Sequence, residues 1–389
     1  MKIAMFTDSY HPAVDGVVTT IDQYKKMLEK RGHEVFIFAP GDRKLVETQP
    51  YPNVNYLKSV KFFGYGKYRM AFPPAKVYKN IDRLGIDVIH SQGAGFVGLK
   101  AVWASYKLKF PLIYSFHTMV NETMHYVSRY QMIQKFTERL LYEYIRWYFL
   151  RCEVVTVPSK TTKNELIKKW PGYVKRYYIL SNGINLKKFN PKNDGSQIRK
   201  KLGLQNNKII LHLGRIALEK NLDTLIKSIP YIKKKYPNCK LVIVGMGPAK
   251  SHYEQMVRNL KLEKDIIFTG FVPDDLIPNY YACADAFATS STFETQGIVI
   301  LEAMASGLPV AGANYRAIPE LVDNGKNGYL FNAFDSKDCA TAVIKALNSD
   351  TELRKNAIRS VQQHSIEQVT DRLIGLYQEM SDLHKKWLK

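Results

Sequence analysis

The chain opens MKIAMFTDSYHPAVDGVVTTIDQYKKMLEKRGHEVFIFA, residues Met1–Ala39, and this stretch decides the fold class. Lys2–Thr7 is a short apolar run followed by turn residues, the pattern of a central strand in a parallel sheet. A polar loop then leads into a helical pattern over Val17–Arg31, closed by Gly32. Glu34–Ala39 is the next strand. Strand, helix and strand with short connections make one βαβ unit, the building block of a doubly wound sheet. The loop lacks G-x-G-x-x-G, so the dinucleotide fingerprint is missing. Asp15–Gly16 reads either as a plain tight turn or as a place where backbone N–H groups approach a phosphate.

Outward from this unit the rhythm continues. Asp87–His90 ends a strand before the glycine-rich S-Q-G-A-G-F-V-G, and Leu112–His117 is a further strand with His117 at its carboxyl end. Ligands of open α/β sheets bind at that end, although a lone histidine is often structural. Asn121–Arg151 is helical in character, and Glu153–Pro158 is a strand. Tyr177–Asn185 runs into an Asn-Gly turn, and the polar Asn190–Ser196 reads as a linker. The second half repeats the pattern with strands at Lys208–Gly214, Lys240–Val244, Ile266–Phe271 and Ala284–Thr289, and Gln363–Trp387 is a last helix. Domains are expected over 1–182 and 183–365, with 366–389 a helix packing back on the first. Two βα domains imply a cleft between them, a usual place for a ligand.

The second domain carries TSSTFETQGIVILEAMASGLPVAGA, Thr289–Ala313. A polar turn leads into an apolar helix stopped by Gly307 and Pro309. The helix start offers free N–H groups to a phosphate or to sugar hydroxyls. Glu294 precedes the helix and Glu302 lies in its second turn, so both carboxylates can accept hydrogen bonds from one polyhydroxylated ligand. The competing reading is a surface helix with two solvated glutamates. Arg215 and Lys220 flank the turn after Lys208–Gly214 and form a natural diphosphate clamp, Arg215 through its fork and Lys220 as a point charge.

Composition narrows the chemistry. The chain has 389 residues, 46% of them hydrophobic, and a net charge of +22 from 57 Lys and Arg against 35 Asp and Glu. Up to Asn182 there are 28 basic and 14 acidic residues, so the excess is denser in the first half. Such a surface suits an anionic partner. None of the usual nucleic-acid motifs is present, so no nucleic-acid partner is expected. The four cysteines are far apart, which fits a reducing cytoplasmic compartment and argues against zinc. No Asp-x-Asp occurs and no cluster has metal-ligand spacing, so no metal and no cofactor are expected. Met1–Asp8 reads as a strand rather than a signal peptide, and no apolar run is long enough to span a membrane. Lys58–Pro74 (KSVKFFGYGKYRMAFPP) interleaves Lys58, Lys61, Lys67 and Arg69 with Phe62, Phe63, Tyr65, Tyr68 and Phe72. It reads as a membrane-interface segment, as a surface for single-stranded nucleic acid, or as a long, partly packed loop.

These residues carry a family resemblance. Glu294 and Glu302 with the intervening T-Q-G-I-V-I-L, L-G-R…E-K-N over Leu213–Asn221, G-L-P-V-A, the opening M-K-I-A-M-F-T-D-S-Y-H-P…D-G-V and F-H-T together resemble the retaining glycosyltransferases of family 4. The resemblance covers nearly the whole chain. It implies a GT-B fold: two Rossmann-like doubly wound domains facing across a cleft, with a last helix crossing back to the first. It also implies a metal-independent transfer from a nucleotide sugar held by the second domain. On the family pattern Arg215 and Lys220 hold the diphosphate, Glu302 the ribose, and Glu294 with the N–H groups of Thr295, Gln296, Gly297 and Ile298 the sugar. Gly16 approaches the phosphate, His117 lies by the reacting sugar, the loop around Gly270–Pro273, with Val272, touches the base by backbone, and Gly245 is a further donor-binding candidate. The family's common Glu-Phe-Gly is here Glu294-Thr295-Gln296-Gly297. A narrower resemblance, carried by H-T-M…M-H-Y over His117–Tyr126 and by Y-G-K-Y-R-M-A-F-P-P, is to glucosyltransferases that make glycolipids from diacylglycerol. It implies a UDP-glucose donor, a lipid acceptor, an anionic membrane surface, and a peripheral enzyme on the cytoplasmic face. Lys61, Phe62, Phe63, Tyr65, Lys67, Tyr68, Arg69 and Tyr126 are its candidate acceptor or membrane contacts.

Overall fold

The computed structural model describes residues 1–13, 15–61, 69–71, 77–117 and 131–389. They fall into two compact units, Met1–Gly183 with Ile366–Lys389, and Ile184–Ser365. The chain changes unit at Gly183–Ile184, at the Asn-Gly turn and one residue from the expected boundary, while the polar Asn190–Ser196 lies inside the second unit.

Among the described residues of the first unit, one sheet has the order β4-β3-β2-β1-β5-β6-β7-β8. Its strands are β1 (Lys2–Phe6), β2 (Glu34–Gly41), β3 (Val54–Lys61), β4 (Arg69–Ala71), β5 (Val88–Ser91), β6 (Leu112–Ser115), β7 (Val154–Val157) and β8 (Tyr177–Ile179). All pairs are parallel except β3–β4. The interior strands are covered on both faces, and Ile3, Ala4, Met5 and Phe6 are fully buried. That explains why they read as unbroken apolar runs. The helices are α1 (Gly16–Lys30), α2 (Arg43–Thr48), α3 (Val77–Leu84), α4 (Phe96–Leu108), α5 (Gln131–Phe149) and α6 (Lys160–Lys169). The ends of the Lys58–Pro74 stretch are not loop: they form the antiparallel β3–β4 pair, with Ser59 opposite Ala71 and Lys61 opposite Arg69.

The second unit has a sheet of order β11-β10-β9-β12-β13-β14, all parallel. Its strands are β9 (Lys208–Leu213), β10 (Cys239–Val244), β11 (Ile266–Gly270), β12 (Ala286–Thr289), β13 (Val310–Ala313) and β14 (Tyr329–Phe331). The helices are α7 (Ser196–Leu202), α8 (Leu222–Lys233), α9 (Lys250–Asn259), α10 (Ile277–Cys283), α11 (Ile298–Ala305), α12 (Ile318–Leu321), α13 (Ser336–Leu347) and α14 (Thr351–Ser360). Strand order reverses between β9 and β12, which defines a switch point where the following loops leave in opposite directions.

The last helix, α15 (Ile366–Leu388), belongs to the first unit. Ile366, Val369, Thr370, Leu373, Leu376, Tyr377 and Met380 are buried, a single helical face that packs beside α1. Arg31 reinforces the contact by donating to Asp371 at 2.8 Å. Burying the six larger side chains of this face contributes on the order of 10 kcal/mol before chain entropy is subtracted.

Candidate functional site

The chemistry of the second unit gathers at the β9/β12 switch point. Beyond β9, Gly214 has φ +153° and Gly245 has φ +135°. A Cβ on Gly245 would lie 1.9 Å from the Gly214 carbonyl oxygen. Two strand-end loops therefore run in backbone contact, and Gly245 serves that approach directly. Arg215 follows and is exposed. Lys220 ends a single 3-10 turn, Leu218–Lys220, and Asn221 turns the chain into α8 through a left-handed φ of +49°.

Asn221 is the rivet of this loop. Its amide donates to the Ala333 and Ser290 carbonyls at 2.7 and 3.2 Å. The Ser290 hydroxyl donates back to the Asn221 carbonyl at 2.6 Å, and Thr292 donates N–H and hydroxyl to Glu219 O, both at 3.1 Å. The loops after β9 and β12 are thus stitched together by backbone-directed bonds. Their consequence is an ion pair: Lys220 Nζ stands 2.6 Å from Glu294 Oε1, with the side chains only 19% and 12% exposed. Residues 74 apart in sequence form one polar unit.

Gly297 (φ +90°) caps α11, whose start faces this region, and Gln296 is buried. Glu302, one turn further, is partly buried and accepts a hydrogen bond from the Tyr281 hydroxyl at 2.8 Å. Burial pushes the Glu302 carboxyl up to about 7, against the opposing pull of that bond and of the Lys188 charge. Tyr281 itself is held well above its usual range by burial and by the Glu302 carboxylate, so it is the donor. Val272 lies in the loop after β11 and packs against the core, beside an exposed Phe271.

In the first unit the corresponding loops follow β1, β5 and β6. Asp15 caps α1, its Oδ1 accepting from the N–H groups of Val17 and Val18 at 2.9 Å, and Ser9 donates to its other oxygen. A Cβ on Gly16 would meet nothing within 4 Å, so no packing within the protein demands glycine there. The glycines after β5 do have packing reasons. Asp8 accepts from Gly95 and Val97 N–H at 2.8 Å, and a Cβ on Gly93 or Gly95 would come within 2.6 Å of its carboxylate.

His117 donates from Nε2 to Gln92 Oε1 at 2.8 Å. That oxygen only accepts, so the proton sits on Nε2 and Nδ1 is the acceptor of the neutral ring. Burial pulls His117 down to about 4, which keeps the ring neutral. Gln92 is oriented in turn by His90, whose Nδ1 meets the Tyr377 hydroxyl at 2.7 Å and whose Nε2 meets Ser115 Oγ at 2.8 Å. A buried chain of hydrogen bonds therefore runs from α15 to His117.

Of the acceptor and membrane candidates, Arg69 is tied to Ser59 by bonds of 2.9 and 3.1 Å, within the strand pair. Lys61 ends β3, while Phe62, Phe63, Tyr65, Lys67, Tyr68 and Tyr126 lie outside the described residues. The sequence assigns no role to Tyr281, Gln92 and His90, and contains Asn221 only as the end of the E-K-N motif; each matters through a partner distant in the chain. Among the described residues no three His, Cys, Asp or Glu side chains lie close enough to hold a metal ion, and no helix is long and apolar enough to cross a membrane.

Two doubly wound parallel sheets, each with polar loops at its switch point, and a final helix returned to the first unit define the GT-B class of glycosyltransferase. HepE of Anabaena, solved in complex with UDP-glucose, shares this fold at a TM-score of 0.74, with 21% identity over 97% of this chain and 100% of HepE. Residues 14–188 match the model of Glycosyltransferase Family 4, and residues 194–364 that of Glycosyl transferases group 1. The alpha-monoglucosyldiacylglycerol synthase of Streptococcus pneumoniae is 30% identical over 364 residues, 92% of this chain and 81% of the relative. The enzyme of the same name from Acholeplasma laidlawii is 30% identical over 349 residues, 85% of each. A GDP-mannose-dependent alpha-mannosyltransferase of Corynebacterium glutamicum is 24% identical over 99% of this chain and 91% of its own. The chain belongs to glycosyltransferase family 4 and is a sugar-transferring enzyme.

Proposed function

We propose that this enzyme transfers glucose from UDP-glucose to a hydroxyl of a membrane lipid of the diacylglycerol type, with retention at the anomeric carbon and without a metal ion. The Lys220–Glu294 pair carries the reading, because it holds a cation suited to a diphosphate against a carboxylate suited to hydroxyls; Glu302, in the second turn of α11, adds a second such carboxylate. The names of the two relatives at 30% identity supply the lipid and the sugar.

In this reading donor binding breaks the ion pair. The diphosphate takes Lys220 and the Arg215 fork, and Glu294 turns to the sugar hydroxyls. The N–H groups of Thr295, Gln296, Gly297 and Ile298 surround the sugar, and the positive end of α11 favours the phosphates. Glu302 accepts from the ribose hydroxyls. On the family pattern the Gly16 N–H is a further donor to the phosphate, at a position where no packing requires a glycine. His117 Nδ1 accepts from a sugar hydroxyl. The loops at Gly245 and Val272 meet the nucleotide through backbone atoms.

The acceptor oxygen then attacks the anomeric carbon on the leaving-group face. As the bond from that carbon to the β-phosphate oxygen breaks, the acceptor's proton passes to the departing phosphate. Arg215 and Lys220 offset the growing negative charge. No side chain is assigned as a covalent nucleophile. The enzyme acts peripherally, at the cytoplasmic face of the membrane.

The test incubates the protein with radiolabelled UDP-glucose and dioleoylglycerol in mixed micelles, resolves the lipids by chromatography, and assigns the anomer by proton NMR. An α-linked glucolipid is expected. Turnover with GDP-mannose and a soluble acceptor instead would move the reading to the other branch of relatives. If no nucleotide sugar is consumed with either acceptor class, the donor assignment fails.

A further inference from the structure

The first unit carries a second feature, whose floor lies where β6, β7 and β8 begin. A groove of about 1330 Å³ is lined by Phe96, Trp103 and Tyr106 of α4, Trp147 of α5 and Trp387 of α15. These rings are 37–75% exposed. Isolated exposed aromatics are ordinary, but five around one concavity are not. Phe110, Leu112, Glu153 and Lys175 complete the floor; they stand at or just before the starts of β6, β7 and β8. His117 stands beyond the opposite end of β6, so roughly 13 Å of strand separates this floor from it. The groove is therefore not part of the site described above.

Its cations are placed on the rings. Lys107 Nζ lies 5.1 Å from the Trp103 centroid and 5.9 Å from that of Tyr106. The Arg151 guanidinium lies 3.9 Å from the Trp147 centroid. Lys100 and Lys109 also line the groove, against one acid, Glu153, which Lys175 already pairs at 2.6 Å. Burial pulls the Lys100 ammonium down to about 8. Aromatic rings with basic side chains over them are the composition of a membrane interface, where rings sit at headgroup depth and ammonium groups meet phosphate. A second copy of this chain fits less well, because each copy carries a net charge of +22.

We propose that this groove docks the enzyme on a bilayer by taking up acyl chains of an anionic phospholipid, whose phosphate meets the surrounding lysines and Arg151. This rests on the peripheral membrane placement proposed above and gives it a surface, while its test depends on neither the donor nor the acceptor.

The molecule supplies its own reporter. Of its four tryptophans, Trp103, Trp147 and Trp387 line the groove, while Trp170 is buried in the core. The full chain is mixed with phosphatidylcholine vesicles or with phosphatidylcholine–phosphatidylglycerol vesicles whose acyl chains are brominated, and tryptophan emission and vesicle flotation are read together. Strong quenching is expected only with the anionic vesicles, and equally in Arg215→Ala, which leaves the groove intact. The triple variant Trp103→Phe, Trp147→Phe, Trp387→Phe should float but show no quenching of Trp170. The double variant Trp103→Ser, Tyr106→Ser changes exposed side chains, and its fold is checked by circular dichroism; its flotation should weaken roughly tenfold. Flotation of the wild type without quenching, or flotation unchanged in the double variant, would overturn the proposal. So would absence of flotation, or a dimer on gel filtration that the double variant abolishes, since a second copy would then be the occupant. Transfer to an acceptor dispersed in detergent reports the proposed reaction separately.

Discussion

The Glu302 carboxyl makes donor affinity a function of pH. Burial raises it from the ordinary 4.5 to about 7, so ionising it inside the fold costs about 3 kcal/mol more than in water. The neutral form is the one the free fold favours. The free enzyme is therefore stabilised by this group below about 4.5 and loses that contribution as the pH rises through 7. Ribose hydroxyls donate hydrogen bonds, and the ionised carboxylate is the better acceptor, so donor binding runs the other way. The ionised fraction goes from about one-tenth at pH 6 to nine-tenths at pH 8, which limits the gain in affinity to about tenfold. Near neutrality, about half a proton is released per donor bound. His117 and His212, held at about 4, and His90, at about 3, do not titrate in this window. The sugar diphosphate, a diester, does not titrate there either.

The measurement is calorimetry with UDP-glucose, without acceptor, at pH 6, 7 and 8, in two buffers of different ionisation enthalpy. Glu302→Gln should bind more weakly and show neither the pH dependence nor the proton release. Tyr281→Phe removes a hydrogen bond that lowers the carboxyl's affinity for protons, so the midpoint should move upward. Equal affinity at pH 6 and 8, or a Glu302→Gln enzyme that keeps the wild-type slope, would refute the reasoning.

Arg215→Ala and Lys220→Ala should each lower kcat by two orders of magnitude or so while circular dichroism stays unchanged, as expected for charges felt most in the transition state; wild-type rates in either would remove the clamp. Glu294→Gln combined with Lys220→Met should be more stable to urea than Lys220→Met alone by about 1–3 kcal/mol, since the single change strands a carboxylate only 12% exposed. Gln92→Glu sets a carboxylate against His117 and raises its proton affinity toward neutrality. Activity of that variant should fall as the pH drops from 8 to 6 by more than in wild type, with Gln92→Asn showing no such change; identical profiles would deny Gln92 its positioning role. Gly245→Ala forces a Cβ to within 1.9 Å of a carbonyl oxygen at a φ of +135°, so soluble yield and melting temperature should both drop, with several kcal/mol lost.

The sequence determined the sheets and their class. Apolar runs of four to six residues separated by helical patterns can settle only as buried parallel strands with covering helices, and β1, β9 and β12 lie where those runs stand. Local chemistry also located the loops that carry Arg215, Lys220, Glu294 and His117, because they follow strands at their carboxyl ends. It gave little sign of β3–β4 as a pair, since the aromatic–basic segment joining them is too long for a tight hairpin and offers only Gly64 and Gly66 as turn residues. Only the tertiary structure decided how the polar groups combine. Lys220 meets Glu294 because β9 and β12 are neighbours, a fact of strand order rather than of spacing. Glu302 has its carboxyl raised to about 7 because burial in the packed unit outweighs the hydrogen bond from Tyr281, and His117 acquired a fixed tautomer from Gln92. The groove of α4, α5 and α15 brings together rings from three distant helices. Periodicity is a short-range property and survives in the sequence; side-chain pairing and solvent exclusion depend on which elements become neighbours, and that exists only once the chain is packed.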